Sequence, residues 1–104
     1  MATDRIELLK SLLEQDPKNT FARYGIAMEY ANRGKLNEAV EAHRALLADN
    51  PGYGASYYHC GQALSQLGRY EEAREIYERG IEATTKGGDL HTRGEIQAAL
   101  DLLP

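Results

Sequence analysis

Few side chains in this 104-residue chain could do chemistry, and their spacing decides what each can do. His59 and Cys60 are adjacent, the residue types of a nucleophilic thiol and its base. Neighbours on a helix point about 100° apart, so this imidazole cannot take the proton of the next side chain. Cys60 also falls on the apolar stripe Tyr57, Cys60, Gly61, Leu64, which makes it a packing thiol. His43, His59 and His91 are not spaced as i and i+4 ligands, and one cysteine is too few for a closed zinc site. Gly87-Gly88 would suit a phosphate-cradling turn, but no Walker Lys-Ser/Thr and no strand-leading glycine fingerprint accompany it. A flexible hinge is the reading that remains. The carboxylates around Glu38, Glu41, Glu71 and Glu75 fall at solvent-facing helical spacing, a solvated face rather than a catalytic pair. The expectation is a non-enzyme with no catalytic residue, no metal and no cofactor.

Composition narrows the partners. Sixteen acidic against twelve basic residues give a formal charge of -4, without the clustered Lys and Arg that a nucleic-acid backbone or an anionic membrane surface attracts. Neither is an expected partner. The start Met1-Ala2-Thr3-Asp4-Arg5 turns charged at once, unlike a signal peptide, and no run of about 20 apolar residues would span a bilayer. With a single cysteine excluding an internal disulfide, a cytoplasmic soluble protein of one domain is expected.

The elements that must position any site are helices. Ile6, Leu9, Leu12 and Leu13 recur at helical spacing behind Asp4 and Glu7, a capping arrangement, until Asp16-Pro17 stops them; the first helix runs roughly from Thr3 to Gln15. The second spans about Asn19 to Arg33, ended by Gly34. The third, Leu36 to Ala48, turns Ala39, Val40, His43, Leu46 and Leu47 to one side. Ala55 to Leu67 and Tyr70 to Ala83 follow, the latter with charge pairs Glu71–Arg74 and Glu75–Arg79 outward. Lys86 to Asp89 reads as a loop, and Ile96, Ala99, Leu100 and Leu103 define a sixth helix starting between Asp89 and Arg93.

Adding 34 to a position repeats the pattern: Pro17 gives Pro51, Tyr24 gives Tyr58, Gly34 gives Gly68, Ala39 gives Ala73. Backwards, Leu46 and Leu47 give Leu12 and Leu13. Such a period marks stacked units that cannot bury their apolar faces alone, and short loops make each unit an antiparallel helical hairpin. Ala39 and Ala73 are read as methyl-sized contacts against Ala27 and Gly61 of the preceding helix. Arg5, at the place of Ala39, fits a first helix that is the second half of a hairpin.

Ile26, Ala27, Tyr30, Ala39 and Pro51, then Tyr57, Cys60, Gly61, Leu64, Ala73 and Tyr77, resemble the tetratricopeptide repeat. Arg23, His43, Gly80 and Thr85 depart from its preferred residues. The resemblance implies an all-α, right-handed stack of antiparallel helical hairpins with about six helices. Its parts would be a leading half repeat 3–17, repeats 18–51 and 52–85, and a capping helix 88–103. It also implies a protein-interaction module whose concave groove is lined by the first helix of each hairpin. Carried over to this chain, the groove residues are Phe21, Tyr24, Met28 and Asn32, then Ala55, Tyr58, Gln62 and Gln66, with Arg93 or Gln97 at the far end.

Spacing alone shows Phe21, Tyr24 and Met28 as a stripe separate from Ile26, Ala27 and Tyr30, facing either the first helix or a ligand. Some members of the family hold a C-terminal carboxylate with Lys, Asn and Arg; here Tyr24, Met28 and His59 stand near those places, so an apolar or helical protein segment is the expected partner. The alternative is a self-associating scaffold, a homodimer joined through Leu8 and Leu12 or Leu102 and Leu103.

Overall fold

A computed structural model describes residues 4–104 as six helices and, among those residues, no strand: α1 Arg5–Gln15, α2 Thr20–Asn32, α3 Leu36–Asp49, α4 Gly54–Gln66, α5 Tyr70–Gly87 and α6 Leu90–Asp101. Thr3, the expected first helical residue, lies outside the described residues.

Side-chain caps start three helices. Asp4 accepts from the Ile6 amide at 2.8 Å, Asn19 from Ala22 at 3.0 Å and Asp89 from Thr92 at 3.1 Å, each satisfying an amide that has no partner inside its helix. Asp16, held extended before Pro17, stops α1. Gly34 and Gly68 follow α2 and α4 with φ of 75° and 76°, the left-handed conformation that a side chain would strain.

Most boundaries move by at most a single residue, and the end of α5 moves by four. Thr84 and Thr85 return their hydroxyls to the carbonyls of Gly80 and Ile81 and stay helical, so the helix runs on to Gly87. Gly88 then caps it at φ 71°. The expected Lys86–Asp89 hinge is therefore a tight helix-to-helix corner.

Each helix packs on the next, and α2 adjoins α4 as α4 adjoins α6. This is the arrangement of stacked hairpins: α2 with α3, α4 with α5, α1 leading and α6 closing. The main core runs through α3 to α6, with Val40, Leu46, Leu64, Ile76, Tyr77 and Ile96 among its buried residues. A smaller cluster, Leu9, Ala22 and Ile26, joins α1 to α2.

Leu46 of α3 is 0% exposed, whereas Leu12, its equivalent in α1 (12+34=46), is 39% exposed. No described helix covers the outer side of α1.

Glycine sets the closest approaches. A Cβ at Gly61 would run into the Tyr77 ring, so the room read from the sequence as serving Ala73 is taken by that ring. In the first hairpin the equivalent pair is Ala27 with His43, both fully buried, a smaller ring beside a larger neighbour. At Gly80 a Cβ would come 2.6 Å from the Tyr57 Cβ and 2.9 Å from the Ile96 Cδ1. The missing methyl therefore lets α6 seat on α4 and α5.

The two charge pairs expected along α5 do not form. Arg74 donates instead to the Pro104 carbonyl at 3.1 Å, and the Arg79 guanidinium lies 5.8 Å from the centroid of the Tyr57 ring.

Candidate partner-binding groove

The adjoining first helices bring the sequence-derived groove residues onto neighbouring elements: Phe21, Tyr24, Met28 and Asn32 on α2, Ala55, Tyr58, Gln62 and Gln66 on α4, and Arg93 and Gln97 on α6. Their environments divide them. Tyr24 is half-buried in an aromatic cluster, its ring centroid 5.3 Å from Tyr53, 5.9 Å from His59 and 6.0 Å from His43. Tyr58 also meets His59, at 5.2 Å in an edge arrangement. Rings at these separations and tilts attract through their quadrupoles as well as through buried area. The cluster thus joins α2 to α4. Gln62, one turn on, donates to the Tyr58 hydroxyl at 2.9 Å.

The remaining expected residues stand outside this cluster. Phe21 is 67% exposed, and Asn32, Gln66, Arg93 and Gln97 are exposed as well. Met28 is half-buried, and like Phe21 it is absent from the Leu9–Ala22–Ile26 cluster through which α2 holds α1. Packing against the first helix, one of the two readings of that stripe, therefore falls to Ala22 and Ile26 instead.

Behind the rings lies an interaction hidden in the sequence. His43 of α3 is fully buried, and its Nδ1 lies 2.8 Å from the Ser56 Oγ of α4. Its Nε2 has no hydrogen-bond partner, and its ring stacks on His59 at 6.3 Å. Burial drives the His43 pKa down to about 4, with the neighbouring His59 adding to the effect, so the ring is neutral at pH 7. The His59 pKa falls for the same reason, opposed by the negative charge of Glu95 on α6. Tyr24 is raised by burial first, then by Tyr53 and Glu95. The floor of this face is thus uncharged and aromatic, with Glu95 the acidic group near it.

Tyr53 and His59 were not among the sequence-derived site residues. Tyr53 sits at the N-cap of α4, outside any helical stripe. The available signal was its position two residues beyond Pro51, where the chain enters a first helix.

The one cysteine is not placed as a nucleophile. Cys60 is fully buried, and burial pushes its thiol up to about 11. Among the described residues no cluster of His, Cys, Asp and Glu has metal-binding geometry, and no helix is long and apolar enough to cross a membrane.

Comparison with known proteins gives the same fold. A solution structure of a Bordetella parapertussis protein superposes with a TM-score of 0.83 at 27% identity, covering 96% of this chain and 87% of that one. An uncharacterised protein of Methanocaldococcus jannaschii is 33% identical over 69 residues, 66% of this chain and 80% of the relative. The heat-shock protein cognate co-chaperone sgt12 of Aspergillus fumigatus is 31% identical over 86% of this chain, which spans only 26% of that longer protein. The family described as tetratricopeptide repeat matches residues 30–92. With a 34-residue period, stacked hairpins and this match in agreement, the chain belongs to the tetratricopeptide repeat family.

Proposed function

We propose that this chain is a non-catalytic protein-interaction module that holds an apolar or helical segment of a partner protein against the face shared by α2, α4 and α6. The segment would lie across repeats 18–51 and 52–85, contacting Phe21, Tyr24, Met28, Asn32, Tyr58, Gln62, Gln66 and Arg93. The observation that carries this reading is Phe21, a large apolar side chain 67% exposed on the same helix as a half-buried aromatic cluster and outside both cores. An aromatic anchor beside a wetter rim of amides is the composition of a recognition surface. The family and the co-chaperone relative, a protein that works with another protein, support the class of function.

Phe21→Ala should weaken capture of the partner about tenfold or more while leaving the melting temperature unchanged, because little is buried there. Pull-down and mass spectrometry with wild-type protein, repeated with Phe21→Ala, provide the measurement. A partner retained equally by both proteins would refute the groove.

A second reading, self-association, is favoured by Leu8 at 54% exposure and Leu102 at 85%. Light scattering decides it: a dimer that dissociates on Leu8→Glu but not on Phe21→Ala would place the assembly at α1.

A further inference from the structure

Away from the groove residues, a cleft of about 560 Å³ opens between the second half of α5 and the Pro51–Gly52 turn. Arg79, Glu82, Ala83 and Lys86 form its α5 wall at i, i+3, i+4 and i+7, one stripe of the helix. Tyr57 forms part of the other side, its hydroxyl donating to the Pro51 carbonyl. Arg79 lies over the Tyr57 ring, and among the described residues neither Arg79 nor Lys86 is in an ion pair.

The first hairpin shows what this niche holds when it is complete. Subtracting 34 places Arg23 at Tyr57, Ala45 at Arg79 and Asp49 at Ala83. There the Arg23 guanidinium donates to the Asp49 carboxylate at 2.7 Å and to the Ala45 carbonyl at 3.3 Å, so the chain fills the niche with its own acid. In the second hairpin the guanidinium has crossed to the other helix, a second cation has arrived at Lys86, and the acid has become alanine. Glu82 also lines the cleft, where the first hairpin has Ala48, but among the described residues it is in an ion pair with neither cation.

We propose that this cleft is a second binding site, which takes the side-chain carboxylate of a glutamate, flanked by apolar residues, in a peptide segment of a partner protein. Arg79 and Lys86 would receive the carboxylate, and Tyr57, Ala83 and the Pro51 ring the apolar flank. The volume exceeds that of a bare carboxylate and lies within the usual range of ligand clefts, about 300–1,000 Å³. Glu82 leaves the lining a formal excess of one positive charge, two cations against one anion, which suits a monoanion better than a phosphorylated residue of nearly two charges. No groove residue lines the cleft, so the two sites separate experimentally.

The test is an amide NMR titration of the whole chain with acetyl-Leu-Glu-Leu-amide and with its Gln twin. Saturable shifts at Gly52, Ala83, Lys86 and Gly87, at least tenfold tighter for the Glu peptide, are expected. Ala83→Asp, which restores the internal acid, and Arg79→Gln should each abolish them, and Phe21→Ala should not change them. Equal binding of the Gln twin, shifts confined to α2 and α4, shifts that survive Ala83→Asp in a folded protein, or no shift at millimolar peptide would each overturn the proposal. Sodium acetate reproducing the full effect at equal concentration would also overturn it, in favour of unspecific anion binding.

Discussion

At His43 the protein keeps an imidazole out of water with one nitrogen on Ser56 and the other unanswered, and the consequence is a dependence on pH. The unfolded chain protonates this ring below about 6.5, while the folded chain resists until about 4. The unfolded state therefore binds more protons in that interval. Stability is complete above it, falls as pH drops through it, and levels off below it, the full loss being about 3 kcal/mol. Urea unfolding at pH 7 and pH 5 should show most of this difference in wild type and much less in His43→Phe. At neutral pH that variant should itself be less stable by about 1–3 kcal/mol, because the Ser56 hydroxyl loses its buried partner and the larger ring presses on the Ala27 methyl. The carboxylates of Asp4, Glu72 and Asp89, all held below the usual range by hydrogen-bonding partners, also weaken the fold in acid, but equally in both proteins. An unchanged difference between pH 7 and pH 5 in the variant would assign the loss to other groups, His59 first among them.

Between elements, equivalent residues need not have equal value. Leu46→Ala should cost about 2–5 kcal/mol in urea melts, as a fully buried leucine does, whereas Leu12→Ala, at the same place in α1, should cost well under half of that. Gly80→Ala should cost about 1–3 kcal/mol by pressing on Tyr57 and Ile96, and should shift α6 resonances more than those of α2. These contrasts also show what the sequence could and could not say. The helices were legible because Ile6, Leu9 and Leu13 in α1, and Val40, His43 and Leu47 in α3, recur at a helical period between stops that are local chemistry, Asp16-Pro17, Gly34 and Gly68. The length of α5 was not, because hydroxyls of Thr84 and Thr85 returning to the preceding turn can extend a helix or break it. Phe21, Tyr24 and Met28 were legible as a separate stripe. The ring cluster with Tyr53 and His59 was not, since its members meet only when α2 and α4 are side by side. Nor was the Arg79 position over Tyr57, which prevailed over an i, i+4 pair with Glu75 that spacing alone favours.

Over the whole molecule, about 43 × 28 × 20 Å, cohesion is uneven along the stack. The continuous core lies in α3 to α6, while α1 is held by Leu9 against Ala22 and Ile26 and by the exposed ion pair of Asp4 with Arg33 at 2.9 Å. In a solenoid each unit answers chiefly to its neighbours, so opening should begin at α1. Amide hydrogen exchange should show α1 exchanging well before α4 and α5; uniform protection would mean that the stack unfolds as one unit. The same unevenness bears on how two copies of a unit come to differ. Tyr77 occupies the room that Gly61 leaves, whereas His43 sits where Ala27 keeps its methyl. A lineage converting the first hairpin into the second must shrink the small neighbour before it enlarges the ring, and one running the other way must shrink the ring first, because the opposite orders pass through a clash. The order of such steps is therefore constrained whichever copy is taken as the start, and a chimera built by exchanging single residues between the hairpins should survive only when it passes through glycine paired with histidine.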